Sequence, residues 1–237
     1  MTTVRTTYRI LLLFSIILIC LFPLILHSVL WGRDLRYGLN KRQQVARRMI
    51  KFLGFEVQRF GVVPQGNYLY ISNHQSYLDP VLVKNWILFQ AVAKAEVANW
   101  FLIGFVLKCT GTIFVKREDK TSRTDTLVQL RHSLRKEIPV LIFPEGTTTD
   151  KNETLPFRMG SFKVASEENV AVVPIAIRYS DRSLAFVGAD TFLPHLVHTF
   201  SRPKIKVNIS FGEPIYHRDP AILMEQTRKC IDEMLLQ

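Results

Sequence analysis

The chain begins with one long apolar run and continues with short apolar segments that polar stretches separate. From Ile10 to Leu30, 21 residues contain no Asp, Glu, Lys or Arg. A helix of that length, rising 1.5 Å per residue, spans the hydrocarbon core of a bilayer. A secretory signal peptide is the competing interpretation, but its apolar core is shorter and a small-residue cleavage site follows it. We therefore predict a retained membrane helix over residues 10–30. Pro23 and His27 leave open whether it crosses the bilayer or dips into one leaflet.

The segment after the apolar run is strongly basic. Seven Lys and Arg residues lie between Arg33 and Lys51, against one acidic residue, Asp34. Residues 39–53, LNKRQQVARRMIKFL, mix basic and apolar positions at helical spacing, which predicts an amphipathic helix on anionic lipid or, alternatively, a solvated linker helix. The heavier positive flank stays on the cytoplasmic side of a membrane. We therefore predict a membrane anchor over residues 1–55 and a body over residues 56–237 at the cytoplasmic face.

The body alternates strand-like apolar runs with helix-like stretches, which predicts an α/β fold. We expect a mixed, largely parallel sheet flanked by helices. The predicted strands are Tyr68–Ser72, Phe89–Lys94, Thr112–Val115, Val140–Phe143, Val170–Ile177, Leu184–Val187 and Lys204–Phe211. Two helix starts carry their own signals: Ser122 with Asp125 resembles a capping box, and Asp219 before Pro220 is an N-cap ahead of the closing helix.

Composition narrows the class of protein. Apolar residues make up 48% of the chain and charged residues 22%, which is typical of a folded protein. The net charge of +11 favours a polyanionic partner, namely nucleic acid, anionic lipid or a phosphorylated substrate. The three cysteines are scattered, which indicates a reducing compartment and neither a disulfide framework nor a metal site.

Polar residues recur where successive predicted strands end, and parallel sheets bind ligands at the carboxyl ends of their strands. They are His74 and Asp79, Lys94, Arg117, the run Glu145-Gly146-Thr147 and, shortly afterwards, Arg158. A neutral imidazole fixed by a carboxylate takes a proton from an alcohol, so His74 and Asp79 form a candidate general base. A turn histidine satisfied by backbone groups, and a serine nucleophile at Ser76, are the alternatives. No second His or Cys lies near His74, so a metal site is not predicted.

The basic residues at these strand ends are candidates for phosphate recognition. Arg117 and Arg158 suit bidentate contacts, and Lys94 is a compact point charge. Glu145-Gly146-Thr147 offers a glycine turn with backbone N–H groups that suit an oxyanion or a phosphate. Solvated surface charges and a plain strand-to-loop turn are the alternative interpretations.

Five blocks of the chain, in order, resemble the glycerolipid acyltransferases, the 1-acylglycerol-3-phosphate acyltransferase family. They are NHQSYLD (73–79), similar to the family's NHx4D block, AKAEV (93–97), GTIFVKR (111–117), FPEGT (143–147) and VVPIAI (172–177). Together they cover under half of the chain.

The resemblance implies a reaction and a role for each matching residue. His74 is the implied general base on an acceptor hydroxyl and Asp79 orients it, with no metal and no covalent enzyme intermediate. The implied co-substrate is an acyl thioester, acyl-CoA or acyl-ACP, and no other cofactor is expected. Lys94 and Arg117 match positions that hold the acceptor phosphate. The block resemblance extends to Asn73, which we include among the substrate-binding candidates with Glu145, Gly146, Thr147 and Arg158.

Two positions depart from the family pattern. Thr148 stands where a phosphate-binding arginine is common, and Lys116 where an acidic residue is common. We expect Arg158 to supply part of the missing charge. The expected acceptor is 1-acyl-sn-glycerol 3-phosphate, with glycerol 3-phosphate or a lysophospholipid of another head group as the alternative.

Two other classes of function remain as alternatives at this point. A thioesterase would use the same His–Asp pair with water as acceptor, and a membrane-tethered basic module would bind anionic lipid or nucleic acid without catalysis. Nucleic-acid surfaces interleave bases with aromatic residues, whereas much of the basic excess here flanks the apolar segment. We therefore predict membrane lipid as the partner and no nucleic acid.

Overall fold

The computed structural model describes residues 2–32, 34–100 and 103–237, so Arg33 of the basic flank lies outside the described residues. Within these ranges the chain forms one seven-stranded sheet with helices on both faces. The helices are α1 (Thr2–Trp31), α2 (Leu35–Phe52), α3 (Asp79–Val83), α4 (Ile103–Cys109), α5 (Lys120–Arg135), α6 (Gly160–Glu167), α7 (Phe192–Ser201) and α8 (Pro220–Leu236). The strands are β1 (Phe55–Phe60), β2 (Leu69–Ser72), β3 (Gln90–Lys94), β4 (Ile113–Val115), β5 (Val140–Ile142), β6 (Val172–Tyr179) and β7 (Ile205–Phe211).

The strand order in the sheet is β1-β7-β6-β2-β5-β3-β4. Neighbouring strands pair in parallel except β6 and β7, which pair antiparallel. The prediction of a mixed, largely parallel α/β sheet is therefore confirmed. Because β6, β2, β5, β3 and β4 all run the same way, their carboxyl ends meet at one edge of the sheet, here called the carboxyl edge.

Each face of the sheet is covered by its own apolar core. One core joins the sheet to α1, α2, α3 and α7 and includes Leu53, Leu82 and Phe200, which are fully buried. The other joins it to α5, α6 and α8 and includes Leu130, Phe162 and Ile231. A sheet buried on both faces has strands that read as continuous apolar runs, as β6 does with VVPIAI.

The N-terminal apolar helix, predicted over residues 10–30, is longer and forms α1 (Thr2–Trp31). The basic helix, predicted over residues 39–53, forms α2 (Leu35–Phe52). The two helices are antiparallel, since Arg48 contacts Cys20 while Tyr37 stacks on His27. One face of α1 is buried and includes Leu13, which belongs to the sheet's own core. The opposite face exposes a row of large apolar residues: Leu11, Phe14, Leu18, Phe22, Ile25, Leu26 and Val29. α1 is the one helix in the described ranges that is long and apolar enough to cross a membrane.

The beginning of α1 is held against the connection between α7 and β7. Arg9 is only 7% exposed, and its guanidinium donates to the backbone carbonyls of Arg202 at 2.6 Å and Pro203 at 2.9 Å. Arg5 donates to the carbonyl of Ser201. Gly54 leaves room for this guanidinium, because a Cβ there would lie 1.8 Å from a nitrogen of Arg9. The division into an anchor (1–55) and a body (56–237) stays a prediction, since α1 and the sheet share one core.

Two local predictions were wrong, and one strand was missed. Leu184–Val187 is not a strand, since Leu184 ends a 3-10 turn and Ala185 begins a loop. The run is apolar because Leu184 and Ala185 are buried beside the sheet. β1 was not predicted, since it is an edge strand with only Phe55 buried. Ser122 lies inside α5, whose N-cap is Asp119, and its hydroxyl accepts from the backbone of Lys116. The predicted cap of α8 is confirmed: the Asp219 carboxylate accepts from the backbone N–H of Ala221.

Candidate active site

The carboxyl edge collects the side chains that the sequence analysis singled out at strand ends. His74 follows β2, Lys94 ends β3, Arg117 follows β4 and Glu145 follows β5. The loops that carry them are tied together, because the backbone N–H of Thr149 donates to the carbonyl of His74 at 2.9 Å. The parallel register of the sheet thus brings four segments that are distant in sequence to one place.

His74 and Asp79 form a direct pair. The residues between them turn the chain, with the N–H of Asp79 donating to the carbonyl of Ser76, and Asp79 then begins α3. This turn brings His74 Nδ1 to 2.8 Å from Asp79 Oδ2. The Asp79 side chain is fully buried and that of His74 is 14% exposed. Only a turn lets residues five apart meet in this way, since a helix or a strand would place them on different faces.

Three further donors hold the Asp79 carboxylate. Oδ2 accepts from the backbone N–H groups of Gln75 at 2.7 Å and Ser76 at 2.8 Å, and Oδ1 accepts from the Tyr179 hydroxyl at 2.8 Å. The Asp79 oxygen that faces His74 accepts from both backbone N–H groups, so it acts as an acceptor toward the imidazole as well. The ring proton of His74 is therefore assigned to Nδ1. The lone pair is then on Nε2, the nitrogen available to take a proton.

The ring of His74 is also fixed by stacking. It lies on Phe143, with the ring centroids 4.0 Å apart and the planes 19° from parallel. One edge is thus bonded to Asp79 and one face is covered, while part of the ring still reaches solvent. An imidazole held in one orientation with one free nitrogen suits general-base chemistry.

Two residues of the same turn have structural contacts. Ser76 is fully buried, and its hydroxyl accepts from the backbone N–H of Leu78. Asn73 is 1% exposed, and its amide both donates to the carbonyl and accepts from the N–H of Ile177, at 2.9 and 2.8 Å. Asn73 therefore fastens the turn to β6, and this placement gives no support to the prediction that it binds substrate. The Ser76 nucleophile alternative gains no support either.

Two arginines flank the glycine of the FPEGT segment. Arg117 donates to the carbonyl of Gly146. Arg158 lies over the α-carbon of Gly146, where a Cβ would come within 3.0 Å of its Nε. Gly146 has φ of +72°, so glycine is favoured here by both its backbone conformation and the close arginine. Burial lowers the pKa of Arg117, and the neighbouring charge of Arg158 lowers it further. The two cations thus form one positive patch beside the His–Asp pair.

The remaining predicted residues lie at the rim. Lys94 Nζ is 3.2 Å from Glu96 Oε1, and both side chains are well exposed. Thr147 is exposed next to Gly146. Thr148, at the position where the family often has arginine, is turned to a structural contact, since its hydroxyl donates to the carbonyl of Phe186.

Glu145 is an unusual carboxylic acid. Its side chain is 7% exposed, and in the described part of the chain its carboxyl oxygens make no hydrogen bond of good geometry. The backbone N–H groups of His74 and Leu155 are close enough to lower its pKa, but burial outweighs them. Burial is the main cause that raises the pKa of Glu145 to about 8, and the charge of Asp79 acts in the same direction. Glu145 is therefore mostly neutral at pH 7, and a neutral acid is a hydrogen-bond donor.

The raised pKa of Glu145 predicts a pH-dependent stability. The unfolded chain releases this proton near pH 4.3 and the folded chain near pH 8, so the folded state holds one proton more between these values. The stabilising contribution is complete below the unfolded pKa and is lost as the pH rises through the folded pKa. We expect the free energy of unfolding to fall by up to about 1.4 kcal/mol per pH unit in that window.

Glu145→Gln should remove this slope, and Glu213→Gln, at an exposed glutamate, should keep it. Urea unfolding in detergent between pH 5 and pH 9 measures it. Equal slopes for wild type and Glu145→Gln would show that the carboxyl group of Glu145 is ionised throughout.

Several residues of the site were missed in the sequence analysis. Tyr179 lies 100 residues from Asp79 and ends β6 as an ordinary strand tyrosine. Phe143 was included only in a strand and in the FPEGT block. The backbone carbonyl of Gln75 accepts from the N–H of Phe186. This bond holds the loop at residues 184–187, which was predicted as a strand, against the turn that carries His74. No local pattern signals these contacts, because each depends on the order of strands in the sheet.

Comparisons with known proteins identify the family. Residues 54–178 match the family described as Acyltransferase. A lyso-ornithine lipid O-acyltransferase from Pseudomonas aeruginosa is 33% identical over 201 residues, which cover 80% of this chain and 78% of that protein. The chloroplastic 1-acyl-sn-glycerol-3-phosphate acyltransferase BAT2 of Brassica napus is 28% identical over 168 residues, which cover 70% of this chain and 46% of that protein.

The fold has a solved counterpart. The crystal structure of the 1-acyl-sn-glycerophosphate (LPA) acyltransferase PlsC from Thermotoga maritima matches with a TM-score of 0.75. The match covers 100% of this chain and 97% of that chain at 19% sequence identity, so it bears on the fold alone. The resemblance seen in the five sequence blocks is confirmed by the family match and by the relative from Pseudomonas aeruginosa. The chain therefore belongs to the acyltransferase family.

Proposed function

We propose that this acyltransferase moves a fatty acyl group from an acyl thioester to the free hydroxyl of a lysophospholipid. The observation that carries the proposal is the 2.8 Å contact between His74 Nδ1 and the buried Asp79. Nε2 of His74 takes the proton of the acceptor hydroxyl as its oxygen bonds to the thioester carbonyl carbon. The tetrahedral intermediate then collapses, the carbon–sulfur bond breaks, and the leaving thiolate receives the proton from the imidazolium.

The acyl donor is acyl-CoA or acyl-ACP, and transfer is direct. An enzyme nucleophile would need an exposed hydroxyl at His74, whereas the hydroxyl of Ser76 is buried and bonded to backbone. His74 handles the proton and the thioester supplies the activated acyl group, so the proposed reaction uses no further cofactor.

The acceptor carries an anionic group, a phosphate or a carboxylate, that Arg117 and Arg158 hold. Two guanidinium groups that flank Gly146 suit bidentate contacts to phosphate oxygens. Our first candidate is 1-acyl-sn-glycerol 3-phosphate, whose product is phosphatidic acid. A lyso-ornithine lipid is the second candidate, favoured by the relative from Pseudomonas aeruginosa and by Thr148 in place of an arginine. Its amino-acid head group carries a carboxylate, which the same arginines can bind.

A panel of acceptors tests these candidates. Detergent-purified protein is supplied with labelled acyl-CoA, then acyl-ACP, and with 1-acyl-sn-glycerol 3-phosphate, glycerol 3-phosphate, lyso-ornithine lipid or a zwitterionic lysophospholipid. The esterified product identifies the acceptor. For that acceptor, Arg158→Ala should raise the KM by about 5- to 150-fold, equivalent to about 1–3 kcal/mol for a charged hydrogen bond.

Arg158→Lys should fall between wild type and alanine, since it keeps the charge and loses the bidentate geometry. Arg218→Ala, at an exposed arginine elsewhere, serves as the control. An unchanged KM in Arg158→Ala would reject the role of this residue in holding the head group. Esterification of the zwitterionic lysophospholipid alone would reject an anionic acceptor.

The apolar face of α1 and the lipid-modifying relatives place this chain among membrane-associated acyltransferases. We further propose that α1 lies in one leaflet, because its beginning is bonded to the body through Arg5 and Arg9 and its length packs along α2. The basic flank favours the cytoplasmic face. Labelling of cysteines introduced at Thr3 and at Gln237 from the cytoplasmic side would support this arrangement, and labelling of Thr3→Cys from the opposite side only would reject it.

A further inference from the structure

The turn at residues 74–79, here called the His–Asp turn, carries a side chain that the proposed reaction does not use. Tyr77 is half-buried, and its hydroxyl lies 3.2 Å from Nδ1 of His195, 118 residues later in the chain. His195 belongs to α7 and is only 6% exposed. A buried histidine of a distant helix is therefore bonded to the turn that carries the candidate base.

The proton positions of this contact follow from a third partner. Nε2 of His195 lies 3.1 Å from the backbone carbonyl of Ala185, and a carbonyl oxygen can only accept. The ring proton is therefore on Nε2, and Nδ1 accepts from the Tyr77 hydroxyl. Burial lowers the pKa of His195, so the imidazole is neutral at pH 7, and burial raises the pKa of Tyr77.

His195 is connected to the His–Asp turn by a second route. The residue after Ala185 is Phe186, whose N–H donates to the carbonyl of Gln75 at 2.8 Å. The rings of Tyr77 and Phe186 meet edge to face, with centroids 5.3 Å apart, and the ring of His195 meets both in the same way. One imidazole thus fixes two segments that hold the turn from the side of α7.

The position of the His–Asp turn determines where Nε2 of His74 lies. The backbone N–H groups of Gln75 and Ser76 donate to the carboxylate of Asp79, so the turn and the carboxylate move together. A displacement of Tyr77 is therefore passed to Asp79 and to the imidazole that Asp79 orients. Misplacement of a reacting group by about 1 Å costs about 10²-fold in rate.

We propose that His195 is a positioning residue for acyl transfer, which holds the His–Asp turn in place by accepting from Tyr77 and donating to Ala185. It touches no reacting atom and acts through the turn. The proposal rests on the proposed function of His74 as the general base. The alternative is a packing contact that stabilises α7 and has no effect on the reaction.

Initial-rate acyl transfer by variants that break the bond tests the proposal. Tyr77→Phe and His195→Phe should each lower the kcat by about 10- to 100-fold, with the KM for the acceptor within about threefold of wild type. His195→Gln should recover most of the loss, because its amide also carries one donor group and one acceptor. The double variant should be no slower than the slower single variant, because both changes break the same bond.

The matched control is Thr199→Val. Thr199 is fully buried beside the same ring, with its hydroxyl 3.4 Å from Nδ1 of His195. The valine leaves the bond between Tyr77 and His195 in place, so the kcat should stay close to that of wild type. Far-UV circular dichroism verifies folding. Tyr77→Phe removes only the hydroxyl oxygen, so the test does not depend on whether the His195 variants fold.

A second measurement needs neither acyl donor nor acceptor. In full-length protein with isotope-labelled histidine, the magnetic resonance signal of the proton between His74 and Asp79 is identified by its loss in His74→Ala. Its exchange with solvent should be at least about tenfold faster in Tyr77→Phe and in His195→Phe, because the turn opens more readily. Thr199→Val should leave the exchange rate unchanged.

The results separate this proposal from the proposed function. An unchanged kcat or an unchanged exchange rate in Tyr77→Phe would overturn the positioning role, as would His195→Gln as slow as His195→Phe. Losses that multiply in the double variant, or an equal loss in Thr199→Val, would overturn it too. Wild-type activity in His74→Ala would instead reject the proposed function, and the exchange rates would still show whether His195 holds the turn.

Discussion

His74→Ala should reduce the kcat for acyl transfer by at least about 10²- to 10⁴-fold, with the KM for the acceptor close to that of wild type. A positioned general base contributes about this factor, and the pair with Asp79 leaves Nε2 of His74 as the available base. In the described residues the His74 side chain forms no hydrogen bond with Arg117 or Arg158, so acceptor binding should persist. The measurement is initial-rate acyl transfer from labelled acyl-CoA, or from acyl-ACP where that is the donor.

The control is His132→Ala, at an exposed histidine of α5 that is remote from the carboxyl edge. Far-UV circular dichroism verifies that both variants are folded. Free fatty acid is measured beside the ester, which separates transfer from hydrolysis of the thioester. Activity within about threefold of wild type in His74→Ala would reject the general-base role, and release of fatty acid without ester would favour a thioesterase.

Asp79→Asn should lower both the kcat and the free energy of unfolding. Asp79→Ala should lower the free energy of unfolding further, so a comparison of the two variants separates the effect on activity from the effect on stability. The asparagine keeps the shape but removes the charge that stabilises the imidazolium, so we expect the kcat to fall about 10²-fold or more. The alanine also leaves the Tyr179 hydroxyl and two backbone N–H groups without an acceptor. Breaking a buried network of this kind costs about 3–5 kcal/mol.

Denaturant unfolding in detergent measures the stability of both variants, and the acyl-transfer assay measures the kcat. Asp181→Asn is the matched control, because Asp181 also accepts from a hydroxyl and a backbone N–H but lies in a half-exposed turn. An Asp79→Asn protein with wild-type kcat would show that the carboxylate only shapes the turn. Equal stability of Asp79→Ala and wild type would reject the buried network as a source of stability.

The sequence patterns were sufficient for the sheet class and for most strands, because buried strands of a parallel sheet are short continuous apolar runs. β2, β3, β4, β5, β6 and β7 were all located to within two residues at each end. β1 was missed because an edge strand buries little, and its partner β7 is some 150 residues away in the chain. Leu184–Val187 was mistaken for a strand because a short apolar run indicates only that its side chains are buried. It does not show that the backbone pairs with another strand.

The pairing of His74 with Asp79 was recognisable from the NHx4D resemblance, but the environment of the pair was not. The contact of Tyr179 with Asp79 and the stacking of Phe143 on His74 follow from the neighbouring positions of β6, β2 and β5. Sequence reasoning cannot supply that order without strand pairing. Asn73 belongs to the motif that indicated a substrate contact, and the structure shows its amide bonded to the backbone of β6; its role in substrate binding stays a prediction.

The clamp of Arg9 on the end of α7 has a consequence for preparing this protein. Trimming an apolar N-terminal helix is a common route to a soluble enzyme, but α1 supplies Leu13 and Ile16 to the core that also contains β7. Each buried aliphatic side chain contributes about 1.5–3 kcal/mol, and a whole domain has a net stability of only about 5–15 kcal/mol. The helix that carries the exposed apolar row is thus also a structural wall of the sheet's core, so its removal should destabilise the whole fold.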